Sequence, residues 1–177
     1  LTDTAVSLMA AESSAEVWFR CRRLVEFRDT DAAGIAHFSA FFFWMESAEH
    51  ELLRHLGLRV VDHEPDDAEL LTAELATAGE GVGAARLEVS WPRVSVTADY
   101  KSAVRFGEEV DVSVAVAEIG ASSVTYAFRF ESAGRPVATG RVVAVRCLLR
   151  PGRKPLPVRL SPLVSQRLSQ HLLTAKS

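Results

Sequence analysis

Residues 38–56 place the tightest restriction on how this chain folds. Phe38, Phe41, Phe42, Met45, Ala48, Leu52, Leu53 and Leu56 recur at three- and four-residue steps, with Phe43, Ser47, His50 and Arg54 opposite. That spacing predicts an amphipathic helix of about five turns, ended by Gly57. Its apolar stripe must be covered by something, and the flanking sequence offers strands. Glu49 falls within the stripe, where a carboxylate needs a partner or a wet pocket.

Before the helix, Val17, Phe19, Cys21, Val25 and Phe27 share one face of an alternating segment, and Arg20, Arg22, Glu26 and Arg28 the other. This reads as a half-buried strand. After it, period-two alternation recurs around Val94–Tyr100, Val110–Val116, Val124–Phe130 and Val137–Leu149. Gly107-Glu108-Glu109, Gly120-Ala121-Ser122 and Ala133-Gly134-Arg135 mark short turns, so neighbouring strands are antiparallel. The last strand is apolar on both faces from Val142, which suits a central position or an oligomer contact. The stretch 62–83 is less regular, with a short helix over Ala68–Ala78 and glycine breaks at 79, 81 and 83. Four prolines in 151–162 argue against regular structure there. A last short helix is expected over Ser165–Leu173. The fold class is therefore α+β, with one helix covering one face of an antiparallel sheet.

Charge narrows the function. A net charge of −3 gives no general attraction to nucleic acid or to an anionic membrane, and no apolar run is long enough to span one. Residues 1–16 lack the positive start and compact apolar core of a secretory signal, and are expected to be a mobile tail. A cytoplasmic location follows by default. Cys21 and Cys147 lie in apolar-alternating segments and read as reduced thiols, with a disulfide between neighbouring strands left open.

Chemistry concentrates in Phe27-Arg28-Asp29-Thr30-Asp31-Ala32-Ala33-Gly34-Ile35-Ala36-His37-Phe38, between the first strand and the helix. A helix start presents unpaired N–H groups that can polarise a carbonyl. A carboxylate just before it could attack that carbonyl or activate a water. Gly34 would let a ligand approach the backbone. The plainer alternative is a cap or a turn, since Asp-x-Asp before Gly is common turn chemistry.

Two segments tip the balance. Asp29-Thr30-Asp31-Ala32-Ala33-Gly34-Ile35, followed by an aromatic-rich helix with Met45-Glu46, resembles the start of the 4-hydroxybenzoyl-CoA thioesterase family, including its YbgC-like branch. Ala98–Val110, with Arg105-Phe106-Gly107-Glu108, resembles that family's strand and following turn. The likeness runs from about Val17 to Pro157, which marks 17–157 as the domain and 158–177 as a tail with a short helix.

The resemblance implies a hotdog fold, in which a five-stranded antiparallel sheet wraps one long helix. It implies hydrolysis of an acyl-CoA to free acid and CoA, CoA being part of the substrate and no separate cofactor being needed. It also implies a homodimer or homotetramer with active sites between subunits. On this likeness Asp31 is the catalytic carboxylate, as nucleophile or general base. Gly34, Ile35 and Phe38 lie where backbone N–H groups polarise the thioester, and Glu46 matches the helix acid. The sequence departs from the pattern where His37-Phe38 replaces tyrosine-histidine, which turns the imidazole by about 100° on a helix. His37 then serves catalysis or a structural hydrogen bond. Ala40 replaces a usual polar residue, and 62–83 looks longer than the family's connection.

Lys101 and Arg105 are candidates for the CoA phosphates, whereas Arg150, Arg153 and Lys154 read better as a solvated tail. Gly79–Gly83 lacks the ending of a phosphate loop, His50, His55, Asp62 and His63 match no metal spacing, and no Gly-x-Ser-x-Gly elbow occurs. The rival readings are a hotdog dehydratase or hydratase, and a non-catalytic acyl-binding or oligomerising module.

Overall fold

The computed structural model describes residues 17–63, 65–79, 87–150 and 152–174. The expected tail at 1–16 and the glycine-rich 80–86 lie outside the described residues. Five antiparallel strands form the main sheet: β1 (Phe19–Leu24), β4 (Arg93–Tyr100), β5 (Glu109–Ile119), β6 (Ser123–Ser132) and β7 (Arg135–Val145), in the order β1-β5-β6-β7-β4. The long helix α1 (Ala40–His55) lies across one face. Alternation decides which side chains meet it: Val110, Val112, Val114 and Val116 on β5, and Val124, Tyr126, Phe128 and Phe130 on β6, are all buried.

Helix and sheet approach closely at one point. A Cβ on Gly140 of β7 would run into the Met45 sulfur, so the missing side chain lets fully buried Met45 seat on the strand. Phe41 adds edge-on contacts with Phe130 at 5.2 Å and Tyr100 at 5.1 Å between ring centroids.

The structure is richer than one sheet and one helix. Two further α-helices are present among the described residues, α2 (Ala68–Thr77) and α3 (Pro162–Ser169). A second sheet joins two-residue strands in the order β2-β3-β8-β9: β2 (Val61–Asp62), β3 (Val89–Ser90), β8 (Cys147–Leu148) and β9 (Leu156–Pro157). It packs with α2 through Leu71, Leu75, Val89, Leu148 and Val158.

Three expectations are corrected here. The strand read as Val137–Leu149 is broken at Arg146, because that side chain turns into the molecule to meet Asp67. The Pro-rich stretch does contain regular pairing at β9. The final helix begins three residues earlier than expected, with Ser161 accepting from the Val164 N–H and Pro162 in its first turn.

Residues 158–174 pack against the rest of the domain. Val158, Val164 and Leu168 are buried, and Val116 exchanges backbone hydrogen bonds with His171 and Leu173. Cys21 and Cys147 are both free thiols. No helix among the described residues is long and apolar enough to cross a membrane.

Candidate active site

The segment between β1 and α1 makes a tight hairpin before the helix begins. Thr30 and Ala36 form an antiparallel bridge, the Asp31 N–H donates to the Ile35 carbonyl at 2.9 Å, and the Gly34 N–H donates to the Asp31 carbonyl at 3.0 Å. The Asp31 carboxylate closes the turn by accepting from the Ala33 N–H through Oδ1 at 2.8 Å. Its Oδ2 has no hydrogen bond within the described chain. Gly34 is required by its φ of +72° rather than by a close approach, since an added Cβ would meet nothing within 4 Å.

The helix starts at Ala40, two residues later than the apolar stripe suggested. Phe38 is therefore outside it and exposed. Most amides expected to be free near the helix start are used elsewhere. Gly34 and Ala33 bond Asp31, Ala36 donates to the Val104 carbonyl at 2.8 Å, and His37 donates to the Asp29 carbonyl at 2.7 Å. The Phe38 N–H has no hydrogen-bond acceptor among the described residues.

His37 has a structural hydrogen bond. Its Nδ1 accepts from the Ser39 N–H at 3.3 Å and lies 2.7 Å from the Ser39 hydroxyl. Because a backbone N–H only donates, Nδ1 is the acceptor in this contact. The ring stacks obliquely on Phe38 and faces a cleft of about 650 Å³ between β1 and the helix start, with Asp29, Thr30, Ser39 and Trp44. Asp31 does not line that cleft. Asp31, His37 and Glu46 share no hydrogen bond or ion pair within this chain.

The two family-like segments do meet. Ile35 bridges Arg105, and Val25 at the end of the first strand bonds both Gly107 and Glu108. Arg105 and Lys101 are exposed, and neither side chain has a partner among the described residues.

A second cavity, of about 290 Å³, opens between α1 and β4. Phe42, Phe43, Val96 and Val142 form its apolar walls, and Glu46, Glu49 and Arg93 its polar side. Arg93 was not among the residues singled out from sequence. Strict alternation from Val96 would point it away from the helix. A bulge between Arg93 and Ser95 adds a residue, so Arg93 instead pairs with inward-facing Ala144.

The Arg93 guanidinium gathers three partners. Nη1 lies 3.1 Å from Glu46, and Nε donates to Glu49 Oε2 at 3.3 Å. Nη2 sits 2.6 Å from His50 Nε2 and 3.2 Å from Glu49 Oε1, the latter outside hydrogen-bond geometry. Glu49 is fully buried. Burial pushes its carboxyl up to about 7, with Arg93 opposing and Glu46 adding to the rise. His50 is pushed down, first by burial and then by Arg93. The Tyr126 hydroxyl, also buried, has no hydrogen-bond partner among the described residues and is pushed up by burial and by Glu49. Glu46 itself is half-exposed at the cavity rim.

Comparison with known proteins agrees with this architecture. The sequence pattern of the thioesterase-like superfamily matches residues 25–167, well over half the chain. A 1,4-dihydroxy-2-naphthoyl-CoA hydrolase from Prochlorococcus marinus (strain NATL2A) is 26% identical over 125 residues, covering 71% of this chain and 72% of the relative. A gentisyl-coenzyme A thioesterase superposes with a TM-score of 0.63 at 23% identity, over 85% of this chain and 99% of the other. A 1,4-dihydroxy-2-naphthoyl-CoA thioesterase from Synechocystis gives 0.62 at 19% identity, over 86% and 96%. With its helix laid on an antiparallel sheet and its sequence match spanning both, the chain belongs to the thioesterase-like superfamily and has its hotdog fold.

Proposed function

We propose that this protein hydrolyses an acyl-CoA thioester to a free acid and CoA, with Asp31 as the catalytic carboxylate. One observation carries the reading: a carboxylate with one oxygen pinned by the Ala33 N–H and the other open stands a few residues before the unengaged Phe38 N–H. The Phe38 N–H is the donor for the thioester carbonyl, and Gly34 and Ile35 shape the turn that presents it. Asp31 Oδ2 either attacks the carbonyl carbon or takes a proton from the water that attacks it. The tetrahedral intermediate collapses by breaking the C–S bond, and the leaving thiolate takes up a proton. On the direct route, water then hydrolyses the mixed anhydride left on Asp31, releasing the free acid and restoring the carboxylate. CoA is part of the substrate, and no separate cofactor enters this scheme.

The acyl group occupies the cavity walled by Phe42, Phe43, Val96 and Val142. Its volume of about 290 Å³ suits a one- or two-ring acyl group, the kind named in the relatives' substrates. Lys101 and Arg105 are the cations available to the CoA phosphates. The working unit is a homodimer or a pair of dimers. Among the described residues strand β4 is an unpaired sheet edge, and exposed Val94, Val96, Tyr100, Phe38 and Phe43 lie on or beside it. A second copy covering that edge would close the cavity and bring Asp31 and the helix acid Glu46 of different subunits to one site.

Thiol release across a panel of acyl-CoA substrates tests the reading. Asp31→Asn should lower turnover by about 10²–10⁴-fold while the thermal melt stays within a few degrees of wild type. Near-wild-type turnover in that variant would remove Asp31 from the mechanism. Hydration of an enoyl-CoA without thiol release would favour the hydratase reading instead.

A further inference from the structure

Glu49 is unusual among the residues around the acyl cavity. It is fully buried on the apolar side of α1, yet it forms part of the cavity's polar side, and its Oε1 has no hydrogen bond among the described residues. Every nitrogen of the facing guanidinium is engaged, Nε and Nη2 with Glu49, Nη2 with His50 and Nη1 with Glu46. An incoming anion therefore finds each Arg93 nitrogen already in contact with a partner. It also finds two carboxylates against one cation, because His50 is held toward its neutral form.

We propose that Glu49, acting with Glu46 and through Arg93, makes this wall of the cavity electronegative, so that it admits uncharged acyl groups and rejects those ending in a carboxylate. The inference rests on the cavity's being the acyl site. Discrimination of this kind comes from a repulsive element rather than from a better fit to the favoured ligand. Glu49 is a specificity residue in this role and takes no part in bond breaking.

The groups facing Glu49 are Arg93 on β4, Glu46 and His50 on its own helix, and Tyr126 on β6. Glu49, pushed up to about 7 by burial, changes charge near neutrality, so the discrimination should weaken as it takes up a proton. Removing its charge should have the same effect at any pH. One unit charge about 7 Å away, at an effective dielectric of about 20 and partly screened, is worth roughly tenfold in a rate ratio.

The test uses full-length enzyme and two matched pairs of thioesters, hexanoyl-CoA with adipoyl-CoA and 4-methylbenzoyl-CoA with 4-carboxybenzoyl-CoA. Within each pair only one member ends in a carboxylate, and that carboxylate stays ionised from pH 6 to 8. Wild type should favour the uncharged member in kcat/KM at pH 8. That preference should shrink about tenfold at pH 6, mainly through KM of the charged member. Glu49→Gln should show the smaller preference at both pH values. A wild-type preference that does not move with pH, or a Glu49→Gln preference equal to that of wild type at pH 8, overturns the proposal. If Glu49→Gln fails to fold, the pH series on wild type decides alone. Should wild type release thiol from none of the four, the thioesterase reading itself fails, and this inference with it.

Discussion

Replacing Arg146 with alanine should cost about 3–5 kcal/mol of folding stability, the loss expected when a buried ion pair is broken from one side. Arg146 donates from Nη1 and Nη2 to the two oxygens of Asp67, each at 2.7 Å, and Nη1 also reaches the Arg159 carbonyl at 2.8 Å. The two side chains are only 4% and 8% exposed. Asp67 is the N-cap residue of α2, but its carboxylate bonds none of the helix amides, being committed to Arg146. Truncation of the arginine would strand that carboxylate where water scarcely reaches, and α2 would lose its tie to the end of β7. Substituting both residues, Arg146→Met with Asp67→Leu, removes both charges at once and should recover most of the loss. Urea unfolding followed by circular dichroism, on the two single variants and the double, supplies the comparison. A coupling of about 2–3 kcal/mol between the sites is expected. Single losses below about 1 kcal/mol, or losses that simply add in the double variant, would refute the reasoning.

Three further outcomes follow from local geometry. Glu49 rises from 4.5 to about 7 on folding, so the folded chain binds more protons than the unfolded chain between those values. Its contribution is therefore full below about pH 4.5 and lost as pH rises through 7. Glu49→Gln should flatten that decline, by about 2–3 kcal/mol between pH 5 and pH 8 in thermal melts. Ala133 and Gly134 join β6 to β7 with φ of 49° and 74°. Asparagine tolerates that region better than alanine, so Ala133→Asn should raise stability by about 0.5–1 kcal/mol, and a lower melting temperature would contradict the turn assignment. Gly140→Ala should cost about 1–3 kcal/mol by displacing Met45, with partial recovery on adding Met45→Leu. Equal melting temperatures for Gly140→Ala and wild type would show that the contact is slack.

Period made much of this fold legible. The valines of β5 alternate without interruption, and the stripe from Phe41 to Leu53 could belong only to a covered helix. Glu49 was visible as a polar break in that stripe. Arg93 was not, because one extra residue in β4 reverses the face on which alternation would place it. The second sheet escaped notice because two-residue strands have no period to read. At the helix start the stripe continued through Phe38, while the chain itself turned at His37, whose Nδ1 takes the Ser39 N–H. Turn chemistry at Asp31 was legible in the residues themselves. The meeting of its hairpin with Arg105, made through Ile35, depends on tertiary contact and has no signal in the spacing of either segment.

The hairpin carrying Asp31 is fastened to the 104–105 segment by the Ala36–Val104 hydrogen bond and the Ile35–Arg105 bridge, while Val25 clasps Gly107 and Glu108. None of these bonds involves residues 62–88. Lengthening or shortening the chain by a residue between Tyr100 and Glu109 would shift the whole mount, and the carboxylate with it. Growth or loss of sequence between 62 and 88 would leave that mount in place. Relatives of unequal length should therefore differ in the second stretch and keep the first at constant span.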